Sequence, residues 1–573
     1  MSYLDFPRLQ FAGTFTADPS TINNVAGNYN EPEEGSPVQP SWNPYGSATF
    51  SLEGSVESCL GPNGEPVTGD DPVLTATFQN NTDLLGNPAK LVDLDVDEQT
   101  HTRFFGLVFE FSDAAGNLLL RGYFEQEGCL KNLWFGRVPS SSGDNVAGGT
   151  MQSYFPVDCQ ISGKDVSLEW GDISSSPFLQ QLQAASEHGL SINFTGYGYH
   201  GHHLNPAFRV GKIVGSIGPQ ESAAPHYKVA KRMLSPTPGS IMWNAPAATC
   251  IVEGGRRLLS IDLSNAFPEQ STGGPAIDQG SMWAAVLPDE GQPILLGEYD
   301  YKHSFRQTGG IFLVDATAAE SQGQRLAILT TQSPSPDYAH GPFQPVETTE
   351  GPMFVSLAEN ANGIYVTVDQ STVYMQPGDE TTVDLWASCF GEPLADYEVQ
   401  LSIIEAKSPK GHPINNEPAG ALTFPATATT GAGGHVAVPL SACNPEPKPP
   451  RRENINGQLY FVGGPWSAQY NANSQAPSAF TVKIFNSTEV PDQPTWAADA
   501  GPILYQFYVL YAYMRKFFDL SDYESVKGAS GGIKALINLD FADPGLMPVT
   551  RELSRDEITL LTKWIDDGCP AGD

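Results

Sequence analysis

Glycine and proline interrupt this chain so often that short strands joined by turns are favoured over most of its length. The 573 residues include 57 glycines and 47 prolines, well above the usual combined share of roughly 12%. Between them lie short apolar runs bounded by Gly, Asn, Asp and Ser, a pattern typical of β-strands. Such runs occupy residues 107–112, 118–123, 190–195, 257–262, 282–287 and 363–368. The sequence therefore predicts a mainly β protein.

The length of the chain predicts several domains, since one domain accounts for roughly 150 residues. We predict an N-terminal β-rich domain over residues 1–235 and a second β-rich unit over residues 236–375. Turn-separated strand patterns then favour an immunoglobulin-like β-sandwich over residues 376–490, with Trp386 in its core. Residues 491–573 are predicted to form a small helical cap at the C-terminus. The expected architecture is thus multi-domain and built mainly from β-sandwiches.

Helical spacing marks a few segments. Ser176 and Pro177 indicate the start of a helix that we expect to end near Gly189. From residue 499, apolar side chains recur at steps of three and four as far as Phe518, and this stripe, Phe517 included, should be covered by packing. An aromatic stripe of this density can also bind a cofactor, although core packing is favoured. Residues 554–557 form a capping box that opens a last helix, closed near residue 568.

The charge of the chain restricts its partners. It has 65 acidic and 30 basic residues and a net charge of -35, so nucleic acids and acidic lipid headgroups are repelled. No apolar run reaches the length of roughly 18 residues that a spanning helix needs, and the N-terminus lacks a signal-peptide pattern. The seven scattered cysteines form no metal-binding or haem-attachment motif. We therefore expect a cytoplasmic protein, with export that needs no signal peptide as an alternative.

Both ends of the chain carry motifs shared with one enzyme family. The first is Asp5-Phe-Pro-Arg-Leu-Gln-Phe-Ala-Gly13, and the second is Met547-Pro-Val-Thr-Arg-Glu-Leu-Ser554. They resemble the opening segment, and the segment just before the ferritin-like domain, of the iminophenylpyruvate dimer synthases and chromopyrrolate synthases of violacein and bisindole pathways. The resemblance thus covers the N-terminal half of that family and leaves out the ferritin-like half.

The resemblance implies a related fold, but it does not extend to the part of the family that is expected to carry out the reaction. There, dimerisation of an imino acid derived from tryptophan is attributed to an iron- or haem-linked site, and a site of that kind needs several Glu and His on facing helices. No predicted helix contains a Glu-x-x-His pair, and the helical tail has no histidine. We therefore predict a non-catalytic accessory or scaffold protein of secondary metabolism that binds a partner protein or assembles with itself. Catalytic and cofactor-binding residues are not assigned.

A histidine-rich loop offers the best candidate for a metal site. His200, His202 and His203 directly follow a predicted strand, and imidazole is a ligand for zinc and similar metals. In an extended chain His200 and His202 share a side while His203 points away, so a complete site needs further ligands. The alternative function drawn from this loop is a stand-alone metal-dependent enzyme or small-molecule binder. Near-stoichiometric metal that is lost when all three become alanine would favour it.

Alternating carboxylates form a second candidate site. Asp93, Asp95 and Asp97 would share one face of a strand and could attract calcium, but an EF-hand is excluded because Glu98 stands where its loop needs Gly. A structural role in a turn is favoured over catalysis. No other cofactor is predicted.

A nominal hydrolase motif surrounds Ser530 in Gly528-Ala-Ser-Gly-Gly532. Hydrolases with this motif place their histidine after the serine, whereas the last histidine of this chain is His435. We therefore interpret the segment as a flexible turn between helices. A third functional alternative is an effector or surface protein exported without a signal peptide, which detection outside intact cells would favour.

We predict that the isolated protein does not dimerise iminophenylpyruvate. The physical reason is that the helices expected to hold the reactive centre belong to the half that the resemblance does not cover. The measurement is product formation by purified protein, with a full-length synthase as the positive control. Dimer produced by the pure protein would overturn the prediction.

Overall fold

A computed structural model describes residues 2–18, 46–81, 86–93, 102–124, 128–135, 137–139, 146–155, 157–161, 164–200, 208–220, 231–317, 324–332, 345–404, 417–445, 456–467 and 479–572. The predicted mainly β, multi-sheet class is confirmed, with the helices concentrated at the C-terminus. Among the described residues, no helix is long and apolar enough to cross a membrane.

The first unit is a twelve-stranded antiparallel sheet with one helix against it. The order of its strands is β12-β7-β6-β3-β2-β1-β14-β13-β9-β8-β5-β4, and β10 and β11 form a separate hairpin. The bounds are β1 Arg8–Ala17, β2 Phe50–Leu60, β3 Thr77–Asn81, β4 Lys90–Asp93, β5 Thr102–Phe105, β6 Val108–Ser112, β7 Leu118–Tyr123, β8 Gly128–Phe135, β9 Val146–Phe155, β10 Asp158–Ile161, β11 Lys164–Ser167, β12 Glu169–Trp170, α1 Pro177–Ala185, β13 Leu190–His200 and β14 Val210–Pro219.

This sheet curls until its far edge meets an inner strand. The N–H of Phe50 donates to the carbonyl of Ala89 at 2.9 Å, and the N–H of Leu91 donates to the carbonyl of Ala48 at 2.8 Å. The edge strand β4 therefore returns to the start of β2, and the sheet becomes barrel-like. Phenylalanine rings fill the interior of this curled sheet. They contact one another in edge-on, stacked and tilted pairs, and they are Phe11, Phe50, Phe78, Phe104, Phe109 and Phe194.

The second unit is a nine-stranded antiparallel sheet around its own apolar core. Its order is β19-β18-β21-β23-β15-β16-β17-β20, with β22 on β23. The bounds are β15 Arg232–Pro236, β16 Ala245–Ile251, β17 Arg257–Asp262, β18 Met282–Leu287, β19 Ile294–Glu298, α2 Tyr301–Ser304, β20 Ile311–Asp315, β21 Arg325–Thr330, β22 Pro345–Thr348 and β23 Gly351–Ala358.

The third unit is a two-sheet sandwich. One sheet has the order β24-β26-β32-β30, with β27 on β26, and the other has the order β25-β34-β33-β29; β28 pairs with β31. The bounds are β24 Ile364–Val368, β25 Thr372–Met375, β26 Glu380–Cys389, β27 Glu392–Pro393, β28 Glu398–Gln400, β29 Ser402–Ile403, β30 Leu422–Thr423, β31 Thr427–Thr429, β32 His435–Ala442, β33 Gln458–Gly463 and β34 Phe480–Ile484.

Two details of the sandwich differ from the sequence-based expectation or extend it. Val383, Leu385 and Ala387 of β26 point into the core, so Trp386 lies half-buried on the opposite face, beside the His435 ring at 4.5 Å. Its expected core position was therefore wrong, because strand alternation decides the face. In addition, β24 and β25, which precede residue 376, pair within the sandwich. The division into four domains stays a prediction.

The last unit is helical, and its helices are α3 Gly501–Leu510, α4 Tyr523–Ile537 and α5 Arg555–Asp566. The capping box at the start of α5 is confirmed, because Ser554 and Glu557 each accept a backbone N–H of the other. Ser530, expected in a flexible turn, lies inside α4, where its hydroxyl donates to the carbonyl of Lys527 at 2.8 Å. The glycines beside it disfavour a helix, but α4 buries Val526 and Ile533 in the helical core, and this packing prevails.

A buried ion pair joins the sandwich to the helical unit. Lys483 of β34 lies 3.4 Å from the Glu552 carboxylate, with 1% and 3% of the two side chains exposed. The hydroxyls of Tyr511 and Thr550 donate to the same carboxylate. Since both charges are out of water, their attraction to each other offsets part of the cost of burying them.

We predict that Glu552→Gln destabilises the protein by about 3–5 kcal/mol, because the Lys483 ammonium would remain buried without its counter-charge. The measurement is urea unfolding followed by fluorescence. The matched control is Asp566→Asn, which breaks the exposed pair with Lys534 and should cost less than about 1 kcal/mol. Equal effects of the two variants would contradict the prediction.

Candidate functional site

The predicted metal ligands lie in part outside the described residues. His200 ends β13, half-buried and opposite Val146 of β9, whereas His202 and His203 are not among the residues described. Asp93 ends β4, and Asp95 and Asp97 lie outside the described chain. Within the described ranges, no group of three or more His, Cys, Asp and Glu side chains is placed to hold a metal ion. The zinc and calcium sites stay predictions.

The N-terminal motif is buried where the first unit packs on the second. Tyr3, Leu4 and Arg8 are fully buried. The Tyr3 hydroxyl donates to Oδ2 of Asp262 at 2.8 Å, and Nη1 of Arg8 donates to Oγ of Ser260 at 2.9 Å. Both acceptors belong to β17, whereas Arg8 opens β1. The motif therefore acts as a structural joint between two sheets.

Burial shifts the proton affinities at this joint. It raises the pKa of the Asp262 carboxyl, although hydrogen bonds from Ser264 and Tyr3 and the charge of Arg8 oppose the shift. It lowers the pKa of Arg8 to about 10, against the pull of the Cys250, Asp5 and Asp262 side chains. Arg8 thus stays charged at neutral pH and offsets part of the cost of a buried carboxylate.

The second motif is also a joint. The Arg551 guanidinium lies over the Phe105 ring of β5, with 3.6 Å between the Cζ atom and the ring centroid. Its Nη2 and Nε atoms donate to the carbonyls of Asp543 and Phe541 at 2.7 and 3.1 Å. Arg551 therefore ties the loop before α5 to the first unit through a cation–π contact and hydrogen bonds.

The surface with the strongest potential for binding lies at the end of α3 and in the turn after it. We call it the aromatic–basic surface, and it is formed by Tyr505, Tyr508, Tyr513, Arg515, Lys516 and Phe517. The Phe517 side chain is 64% exposed and that of Tyr505 is 41% exposed. Phe517 was expected to be covered, and this was wrong for a local reason. Helix α3 ends before Tyr511, which has non-helical backbone angles, and in the segment beyond it Met514 and Phe518 still pack against the helical core whereas Phe517 does not.

The rings and cations of this surface hold one another in place. The Arg515 guanidinium lies 3.8 Å from the centroid of the Tyr508 ring and donates to the carbonyl of Tyr508 at 2.8 Å. The Lys516 ammonium lies 4.4 Å from the centroid of Tyr513, and Tyr513 meets Phe517 edge-on at 5.4 Å. Side chains held in this way lose little entropy when a partner binds, and aromatic and Arg residues dominate binding energy at protein interfaces.

An acidic cavity of about 520 Å³ opens on the first unit. Val67 and Phe178 supply apolar lining, and Glu65, Asp70 and Asp71 supply carboxylates. The described residues that line it include no Lys or Arg. Asp71 is held rigidly, since its carboxylate accepts hydrogen bonds from the Ser176 hydroxyl at 2.6 Å and from the N–H groups of Val73 and Phe178 at 3.1 Å each. No local pattern in the sequence predicts this cavity, because its two walls lie about 100 residues apart in the chain.

Comparison with known proteins identifies no family. No protein-family model matches the chain, and no curated protein matches it. Among solved structures, it is similar to trypsin-activated alpha-2-macroglobulin from Escherichia coli, with 10% identity, 85% of this chain and 40% of that chain covered, and a TM-score of 0.12. It is also similar to a mutant Salmonella alpha-2-macroglobulin, with 12% identity, 86% and 32% covered, and a TM-score of 0.17. The chain spans less than half of either structure, and likenesses this low carry no argument.

We predict that Tyr3→Phe destabilises the protein more at pH 8 than at about pH 4, close to the unfolded pKa of a carboxyl group. The folded pKa of Asp262 is raised above the unfolded value of about 3.9, so the contribution of Asp262 to stability falls as the pH rises through that interval. Loss of the hydrogen bond from Tyr3 raises the pKa of Asp262 in the folded protein further. The loss of stability on raising the pH is therefore larger in the variant. The expected cost at pH 8 is about 1.5–3 kcal/mol.

The measurement for this prediction is urea unfolding at the two pH values. The control is Thr330→Val, since the buried Thr330 hydroxyl lies 2.7 Å from the Ser356 hydroxyl, a neutral partner, and its loss should cost the same at both pH values. A deficit for Tyr3→Phe that does not change with pH would contradict the role given to Asp262.

Proposed function

We propose that this chain is a non-catalytic, β-rich accessory or scaffold protein that presents its aromatic–basic surface to another protein chain. The observation that carries the proposal is the exposure of Phe517 and Tyr505 beside Arg515 and Lys516 in a chain of net charge -35. Ring exposure costs free energy, about 1.5–3 kcal/mol for a large apolar side chain. Coverage by a partner would recover that energy.

The base beneath the surface supports this proposal. Leu504, Phe507 and Leu510 of α3 are buried in the helical core together with Trp564 of α5. The Glu552 joint then connects this core to the sandwich. A surface mounted on a rigid element binds with less loss of conformational freedom than a surface on a free loop.

We also propose that the chain is related to the N-terminal half of the iminophenylpyruvate dimer synthase family and serves in secondary metabolism. Support comes from the places that the two shared motifs occupy. Arg8 lies at the joint between the first two units, and Arg551 lies at the joint between the helical unit and the first unit. Motifs at such joints stabilise the arrangement of the units and take no part in a reaction. A chain can therefore share them with the synthase family and still lack its catalytic activity.

The proposal is tested by a photo-crosslinking amino acid placed at position 517 in the source cells. We expect a discrete adduct with one protein chain, because the side chain at this position lies on the proposed docking surface. The matched control places the same group at Ile251 of β16, which is 67% exposed, lies opposite Arg257 of β17 and is not part of the aromatic–basic surface.

Two further results decide the test. The adduct should disappear when Arg515→Glu and Lys516→Glu are introduced together, because both cations belong to the surface. Absence of an adduct at position 517, or equal adducts at positions 517 and 251, would overturn the proposed function.

A further inference from the structure

The two most distinctive surfaces of the molecule complement each other. The aromatic–basic surface offers the exposed Phe517 ring, which directly follows the cations Arg515 and Lys516 in the chain, and the acidic cavity is lined by apolar residues and carboxylates. We propose that the chain which covers the aromatic–basic surface is a second copy of this protein, with Phe517 of one copy inserted in the acidic cavity of the next. This inference rests on the proposed function and names its partner.

The dimensions of the two surfaces agree. The cavity holds about 520 Å³, which exceeds the volume of a phenylalanine side chain, so it has room for the ring. Pro66, Val67 and Pro177 of the lining would then contact the ring. The wall is stable enough to receive it, because Asp71 fixes the start of α1 by hydrogen bonds to Ser176 and Phe178.

The charges agree as well. With Phe517 in the cavity, Arg515 and Lys516 lie at a rim that carries Glu65 and Asp70, two exposed carboxylates. The described lining holds no competing cation. Attraction at this contact acts over short distances, whereas the net charge of -35 on each copy produces long-range repulsion that salt screens within about 10 Å at 0.1 M. Association should therefore be strongest at intermediate salt.

The contact has a direct consequence for the form of the assembly. Each copy contributes a different surface, the helical unit of one chain and the first unit of the next. Interfaces of this heterologous kind generate rings when the rotation closes and open chains when it does not. The protein would therefore assemble head to tail.

The test uses the full chain in sedimentation velocity, with two variants that each destroy one surface. Phe517→Glu removes the inserted ring, and Glu65→Lys with Asp70→Lys reverses the rim. We expect species larger than one 61.6 kDa chain for the unaltered protein and a loss of about 30-fold or more in association for each variant, as for a central interface residue. The control is Asp289→Lys with Glu290→Lys, the same charge change at exposed positions, which should associate normally.

The decisive step is to mix the two variants. Each still carries one intact surface, so an equal mixture should form dimers and no larger species, a result specific to head-to-tail contact. A monomeric unaltered protein at every salt concentration would overturn the inference, and so would full association of the rim variant or a mixture that stays monomeric. A crosslink from position 517 to a different protein would leave the proposed function standing and reject the second copy as the partner.

Discussion

Polar groups buried between the units determine how the sheets of this protein sit against each other. Tyr3 meets Asp262 between the first two units, and Arg137 pairs with Glu269 at 2.8 Å across the same boundary. Apolar contacts tolerate small slips, but a buried charge without its partner costs several kcal/mol. The orientation of the first sheet relative to the second therefore depends on these few pairs.

Local patterns in the sequence were sufficient to predict several of the strands. The apolar runs at residues 118–123, 257–262 and 282–287 became strands with those same bounds, and the capping box opened α5 as expected. These features depend on neighbours in the chain. Helix α4 was not predicted because its glycines weaken the local signal, and contacts with distant residues such as Trp564 stabilise it.

The surfaces that we propose for binding could not be predicted from the sequence in the same way. Phe517 continues a helical apolar pattern, so nothing local distinguishes it from a core residue; the backbone at Tyr511 decides its exposure. The acidic cavity requires Asp70 and Phe178 to meet, which follows from the docking of α1 on the sheet. By contrast, the motifs at the two ends were found because they resemble segments of a known enzyme family. In the structure both lie at joints between units.

The position of the first strand has a consequence for synthesis of the protein. Strand β1 lies in the middle of the first sheet and pairs with β14, and Tyr3 bonds a residue 259 positions later. At roughly 5–20 residues per second, Tyr3 waits on the order of 10–50 seconds for the synthesis of that partner. Throughout this interval Leu4 and Phe6, which in the finished fold pack against Ala248 and Leu258 of the second unit, remain uncovered by it. Chaperones that bind apolar segments during translation therefore have a defined target in the segment around Tyr3.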